Sequence, residues 1–157
     1  MPLKRNTVPN SPEKMPHSKV VDSWALLAWL RDEHPAADSV RRTLQEAEDG
    51  NVQLCMSWIN AGEVYYMLAR KHDAKNAEEF LIRLPSLPIR LVLPEEEDII
   101  AAAKLKSAYR ISNADAFAAV LGMKKNAAVI TGDPELRDLT GVVTVEWLGP
   151  QPPAPAE

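Results

Sequence analysis

Four acidic residues stand where the surrounding sequence calls for apolar side chains. Asp22 closes the run Lys19-Val20-Val21. Glu63 shares a helical stripe with Ile59 and Met67, four residues to either side. Asp115 is the one charge between Ala114 and Gly122 (ADAFAAVLG). Asp133 follows Ala128-Val129-Ile130-Thr131 across Gly132. Each has a local explanation. Asp is a preferred helix N-cap, which suits Asp22. Ser112 and Asp115 fit the S-x-x-D capping box. Gly132 permits a tight turn, Asp133 can cap, and Pro134 suits a first helical position. Glu63 fits a helix surface, with Arg70 as a loose partner. Taken together the four point to chemistry. A buried carboxylate must be paired or bound to a metal, and carboxylates gathered in one place cannot all stay ionised without cations. Oxygen-only donors suit Mg²⁺ or Mn²⁺ rather than structural zinc. A divalent ion held by acids activates water and stabilises a leaving oxygen, the basis of phosphodiester hydrolysis.

The elements that carry these acids follow from patterning. Lys19 to Val21 reads as a short strand, and Ser23 to Glu33 as a deeply packed helix, being apolar nearly all round. Ala36 to Glu48 is an amphipathic helix. After a Gly50-Asn51 turn, Val52 to Met56 is a strand. Ser57 caps a helix running to Lys71, and another runs from Asp73 or Ala74 to Leu84. Ile89 to Leu93 is extended, and Pro94 opens a helix with an acidic first turn that continues to Tyr109. Ser112 to Lys125 is a helix, Ala127 to Thr131 a strand, Pro134 to Leu139 a short helix and Val142 to Glu146 a last strand. Strands alternating with helices imply an α/β fold, a three-layer α/β/α sandwich around a mostly parallel sheet. In such sheets, sites form outside the carboxyl ends of strands where the strand order reverses. Asp22 and Asp133 fall at such ends, and Glu63 and Asp115 lie on helices that face inward.

Composition limits the setting. The chain has 157 residues, a single domain's worth. Of 13 prolines, four lie in the first 16 residues and four in the last eight, so residues 1–18 and 149–157 read as flexible tails around a 19–148 domain. No apolar run is long enough for a membrane span, and no secretory signal follows the charged N-terminus, which leads us to expect a cytoplasmic protein. The single cysteine, Cys55, reads as a buried core thiol. With a net charge of −4, binding to nucleic acid by phosphate neutralisation alone is disfavoured. A bound metal would bridge an acidic protein to a polyanion.

Four segments carry a resemblance: Val20-Val21-Asp22-Ser23-Trp24-Ala25-Leu26-Leu27, Ile59-Asn60-Ala61-Gly62-Glu63-Val64-Tyr65-Tyr66, Ile111-Ser112-Asn113-Ala114-Asp115-Ala116-Phe117 and Val129-Ile130-Thr131-Gly132-Asp133-Pro134-Glu135-Leu136. In this order they resemble the acidic motifs of PIN domains, and in particular the VapC-type ribonuclease toxins of prokaryotic toxin–antitoxin pairs. The resemblance implies metal-dependent endoribonuclease activity, homodimers, and a small antitoxin whose C-terminal segment covers the acidic site. It also implies that Asp22, Glu63, Asp115 and Asp133 are the acidic quartet. Thr131 would be a supporting hydroxyl, with Asn60 and Ser112 behind the acids. Two positions depart from the pattern: Asn113, where relatives often carry an aromatic, and Trp24, where many carry a small polar residue. On this reading Asp22, Asp115 and Asp133 hold the ion, and Glu63 completes the shell or orients the attacking water. Cleavage leaves 5′-phosphate and 3′-hydroxyl ends without using the 2′-hydroxyl. The alternatives are an RNA-processing nuclease outside any toxin pair, or a PIN-like binding module in which the acids serve only as caps. His17 in the N-terminal tail, and His34 and His72 after helix ends, offer no histidine pair for metal-free cleavage.

Overall fold

The computed structural model describes residues 17–149; most of the two proline-rich segments read as tails lies outside these described residues. The β-branched and apolar runs form β1 (His17–Val21), β2 (Val52–Ser57), β3 (Ile89–Val92), β4 (Ala128–Thr131) and β5 (Val145–Trp147). Between them lie α1 (Ser23–Leu30), α2 (Ala36–Glu48), α3 (Trp58–Lys71), α4 (Ala74–Arg83), α5 (Glu96–Ala108) and α6 (Asn113–Lys125). All strand pairs are parallel, in the order β3-β2-β1-β4-β5.

Register sorts the strand side chains onto two faces, since alternate residues point to opposite sides. Val20 lies opposite Cys55 and Val129, and these three join the core beneath α5 and α6. Their neighbours Val21, Leu54, Met56 and Ile130 join the other core, beneath α1 to α4. The result is the expected α/β/α sandwich. Cys55 is a free, buried thiol in that core. No helix among the described residues is long and apolar enough to cross a membrane.

Helix α6 is buried without a break from Ala114 to Gly122, and its alanines let it lie close to the sheet. At Gly122 the approach is closest: a Cβ there would meet Cγ2 of Val129 at 2.8 Å and of Val143 at 2.9 Å. The helix ends at Asn126, a left-handed residue (φ 49°) of the type such C-caps favour.

Several boundaries differ from the patterning, each for a local reason. β1 begins at His17, inside the segment read as tail, because His17 and Ser18 pair with Val52 and Gln53. Helix α1 stops at Leu30 rather than Glu33, since Arg31 caps it and Asp32 turns left-handed (φ 55°). The Pro134–Leu139 segment is a 3-10 helix. The last strand starts at Val145 rather than Val142, because the amides of Val142 and Val143 fold back onto the Leu139 carbonyl.

Candidate active site

The chain runs from β1 to β2 and β3 on one side of the sheet, and β4 and β5 lie on the other. The strand order therefore reverses between β1 and β4, and in parallel sheets sites form at the carboxyl ends beside such a reversal. Asp22 follows β1 directly, and its amide donates to the Ile130 carbonyl at 3.4 Å. Thr131 ends β4 beside it, with Asp133 two residues on.

Each of three acids is a cap, as local sequence suggests, and each cap uses one carboxylate oxygen. Asp22 Oδ1 accepts from the Ala25 amide at 2.8 Å. Asp133 Oδ1 accepts from the Glu135 amide at 3.0 Å, at the start of the 3-10 turn. Asp115 and Ser112 form a capping box: the Asp115 amide donates to Ser112 Oγ at 3.1 Å, and the Ser112 amide to Asp115 Oδ2 at 3.3 Å. A carboxylate has a second oxygen, so capping leaves a further function open. Asp22 is 1% exposed, and its Oδ2 has no hydrogen-bond partner among the described residues. An ionised oxygen held this way is costly unless a cation or proton meets it.

The other acids gather in front of it. Asp115, Asp133 and Glu135 can bring one oxygen each within 4.8 Å of one another, close enough to share an ion. Glu135 was missed by the sequence reading. As an exposed acid in the first turn of a helix it looks generic, but it accepts the Ser112 amide at 3.0 Å and so reaches across 23 residues to the start of α6. Glu63 stands at the edge, half-buried, and accepts from the Tyr66 hydroxyl at 3.2 Å. Arg70, the partner expected for it, instead stacks over the Tyr66 ring with 5.2 Å from guanidinium carbon to ring centre.

Electrostatics register the crowding. Burial pushes the Asp22 carboxyl up from 3.8 to about 7; the Thr131 hydroxyl and Ala25 amide oppose the rise, and the Asp133 and Glu63 charges reinforce it. Asp115 is also held well above the carboxylate range, first by burial, then by its hydrogen bond with Glu135 and the charges of Asp133 and Asp22, against the pull of Ser112. Asp133 is raised by burial, partly offset by the Glu135 amide. All three rises express the same need for positive charge among these acids.

A buried polar network ties the acid-bearing elements together. Asn60 Nδ2 donates to Ser23 Oγ at 3.0 Å and to the Ala114 carbonyl at 3.2 Å, and Ser23 Oγ donates to the Asn60 carbonyl at 3.2 Å. Ser23 follows Asp22, Ala114 precedes Asp115, and Asn60 lies one turn before Glu63. Asn60 therefore joins α1, α3 and α6 immediately behind the acids. Thr131, fully buried, accepts the Asp133 amide on Oγ1 at 2.9 Å and shapes the turn that delivers that acid. The donor set is all oxygen and partly buried, with one oxygen unpartnered. It fits a hard divalent cation.

The sequence matches the PIN domain model over residues 19–142. No curated protein sequence matches it. Among solved structures, the fold is similar to VapBC2 from Rickettsia felis bound to a DNA fragment from its promoter, with a TM-score of 0.62 and 13% identity over 83% of this chain and 98% of that one. It is similar to the sarcin-ricin loop cleaving toxin VapC20 of Mycobacterium tuberculosis, with a TM-score of 0.64 and 15% identity over 80% and 96% of the two chains. FitAcB from Neisseria gonorrhoeae gives a TM-score of 0.60 and 19% identity over 81% and 95%. At these identities the likeness is one of fold. The family match spans most of the chain, and by it the protein belongs to the PIN domain family.

Proposed function

We propose that this protein is a metal-dependent endoribonuclease of the VapC toxin type. The observation that carries the reading is the unpartnered, buried Oδ2 of Asp22 beside the cluster of Asp115, Asp133 and Glu135, at the reversal point of the sheet. Asp22, Asp115 and Asp133 would hold Mg²⁺ or Mn²⁺, with Glu135 as a further oxygen donor. When bound, such an ion lowers the pKa of a water and neutralises charge on a phosphodiester. Glu63, at the rim and hydrogen-bonded to Tyr66, would complete the set of acids or orient the attacking water. Asn60, Ser112 and Thr131 would hold the acids in place through their own hydrogen bonds.

RNA as substrate follows from the type of toxin proposed. The bound cation supplies the attraction that a chain of net charge −4 lacks. A small antitoxin covering the acids, and a homodimer, belong to the same reading. Support comes from fold neighbours that are VapBC complexes.

The test is cleavage of a labelled RNA by EDTA-treated protein, with and without Mn²⁺ or Mg²⁺, beside Asp115→Asn. Cleavage that requires metal, leaves 5′-phosphate ends, tolerates 2′-deoxy substitution and is lost in the variant supports the assignment. Full activity of Asp115→Asn, with metal still required, overturns it. A folded wild type that binds RNA but never cuts it would be a binding module instead.

A further inference from the structure

Gly132, between Thr131 and Asp133, has an unexpected neighbour. The sequence suggests a glycine chosen for a tight turn, but its φ lies outside the left-handed region, so the backbone conformation does not require glycine. The requirement is space. A Cβ at this position would overlap Cη2, Cζ3 and Cζ2 of Trp24, whose ring edge lies against the glycine backbone. Trp24 projects from the first turn of α1, two residues beyond Asp22, and is itself half-buried against the core beneath α1 to α4. The residues on either side of Gly132 are engaged: Thr131 Oγ1 accepts the Asp133 amide, and Asp133 Oδ1 accepts the Glu135 amide.

We infer that Trp24 is a positioning residue for the acidic centre: its indole clamps Gly132 and so fixes the 131–135 arm that presents Asp133 and Glu135 to Asp115. This rests on the metal-site reading above and adds to it a specific coupling between α1 and the arm. Two of the three carboxylates that can share an ion sit on that arm, and the third, Asp115, belongs to the capping box of α6. One exposed contact, the Ser112 amide to Glu135 at 3.0 Å, ties the tip of the arm to that box, whereas Trp24 holds its half-buried root at Gly132. An arm released at Gly132 would keep its local caps, and the single exposed Glu135–Ser112 bond would be left to hold Asp133 and Glu135 at their distance from Asp115. The indole and the missing Cβ are two halves of one contact, and that makes the inference testable by a double-mutant cycle.

The experiment compares wild type, Trp24→Ala, Gly132→Ala and the double variant, all EDTA-treated and confirmed folded by circular dichroism at the working temperature. Mn²⁺ affinity is read by titration calorimetry, and RNA cleavage is read as a function of Mn²⁺ concentration. Residues that orient metal ligands typically contribute 10- to 100-fold in affinity. Trp24→Ala should therefore weaken Mn²⁺ binding by about 10-fold or more, with Trp24→Phe falling between it and the wild type. Gly132→Ala should weaken binding in the wild-type background but add little in the Trp24→Ala background, where its methyl has nothing to meet. Cleavage lost by Trp24→Ala should return at high Mn²⁺, and because the variant is already folded in EDTA at the working temperature, that return reads metal affinity and not refolding by mass action. Folded Trp24→Ala that binds Mn²⁺ as tightly as wild type overturns the positioning role alone, and so do independent losses from the two single variants. A wild type that binds no Mn²⁺ overturns the metal-site reading itself and this inference with it.

Discussion

Replacing Asp22 by Asn should stabilise the metal-free protein at pH 8 and abolish its stabilisation by Mg²⁺. In the folded protein the Asp22 carboxyl is raised from 3.8 to about 7, chiefly by burial. A group whose folded pKa is raised contributes stability that is fully present below the unfolded value and is lost as pH rises through the folded one. The relevant window is therefore about pH 4 to 7, with the loss complete by pH 8. Each pH unit inside that window is worth about 1.4 kcal/mol, so from pH 5 to pH 8 this one group removes about 3 kcal/mol. For a chain of this size that corresponds to a fall in Tm of about 6–12 °C. Asn keeps the cap, since it serves the N-cap position as well as Asp and its carbonyl can accept the Ala25 amide. It removes the buried charge. In EDTA, then, the variant should match the wild type at about pH 4 and below, where the carboxyl becomes neutral in the folded and unfolded states alike, and exceed it increasingly up to pH 8. Mg²⁺ should raise the wild-type Tm at pH 8 and leave the variant unmoved. The assay is differential scanning calorimetry across this pH range, with EDTA and with Mg²⁺. A variant that is less stable than wild type at pH 8 in EDTA, or that keeps the full pH dependence, would refute the argument that Asp22 is a destabilised ligand.

Other substitutions probe different parts of the same design. Asn60→Ala removes two side-chain hydrogen bonds in a buried site, while Ser23 Oγ keeps its bond to the residue-60 backbone carbonyl and the unpartnered Asn60 Oδ1 is lost as well, so urea denaturation should show a loss of about 1–3 kcal/mol. Glu135→Gln should keep the fold, within about 0.5 kcal/mol as an exposed substitution, while weakening Mn²⁺ binding by calorimetry; unchanged affinity would remove Glu135 from the ion's shell. Lys124 bridges Glu95 at 2.9 Å and Asp98 at 3.2 Å, joining the end of α6 to the start of α5. Lys124 and Glu95 are solvated while Asp98 is mostly covered, so Lys124→Met should cost about 1 kcal/mol, and less in high salt.

The order of strands and helices was legible because each element is punctuated by its own residues. Proline brackets β3, serine and aspartate cap α1, α3 and α6, and glycine marks the turn before β2. The acids at Asp22, Glu63, Asp115 and Asp133 were legible because a charge in an apolar run is conspicuous. Boundaries slipped where a neighbour in space decided them, as at His17, which becomes a strand by pairing with Val52.

The sequence by itself determined the layered α/β architecture, the elements that carry the acids, and the capping role of each aspartate. These depend on period, propensity and contacts a few residues apart. Only the tertiary structure decided that Glu135 joins Asp115, that Asn60 binds α1 to α6, and that Gly132 is small because Trp24 covers it. Those contacts join residues 20 to 108 positions apart along the chain. No local pattern encodes them, because they exist only once the parallel sheet has brought the ends of β1 and β4 side by side.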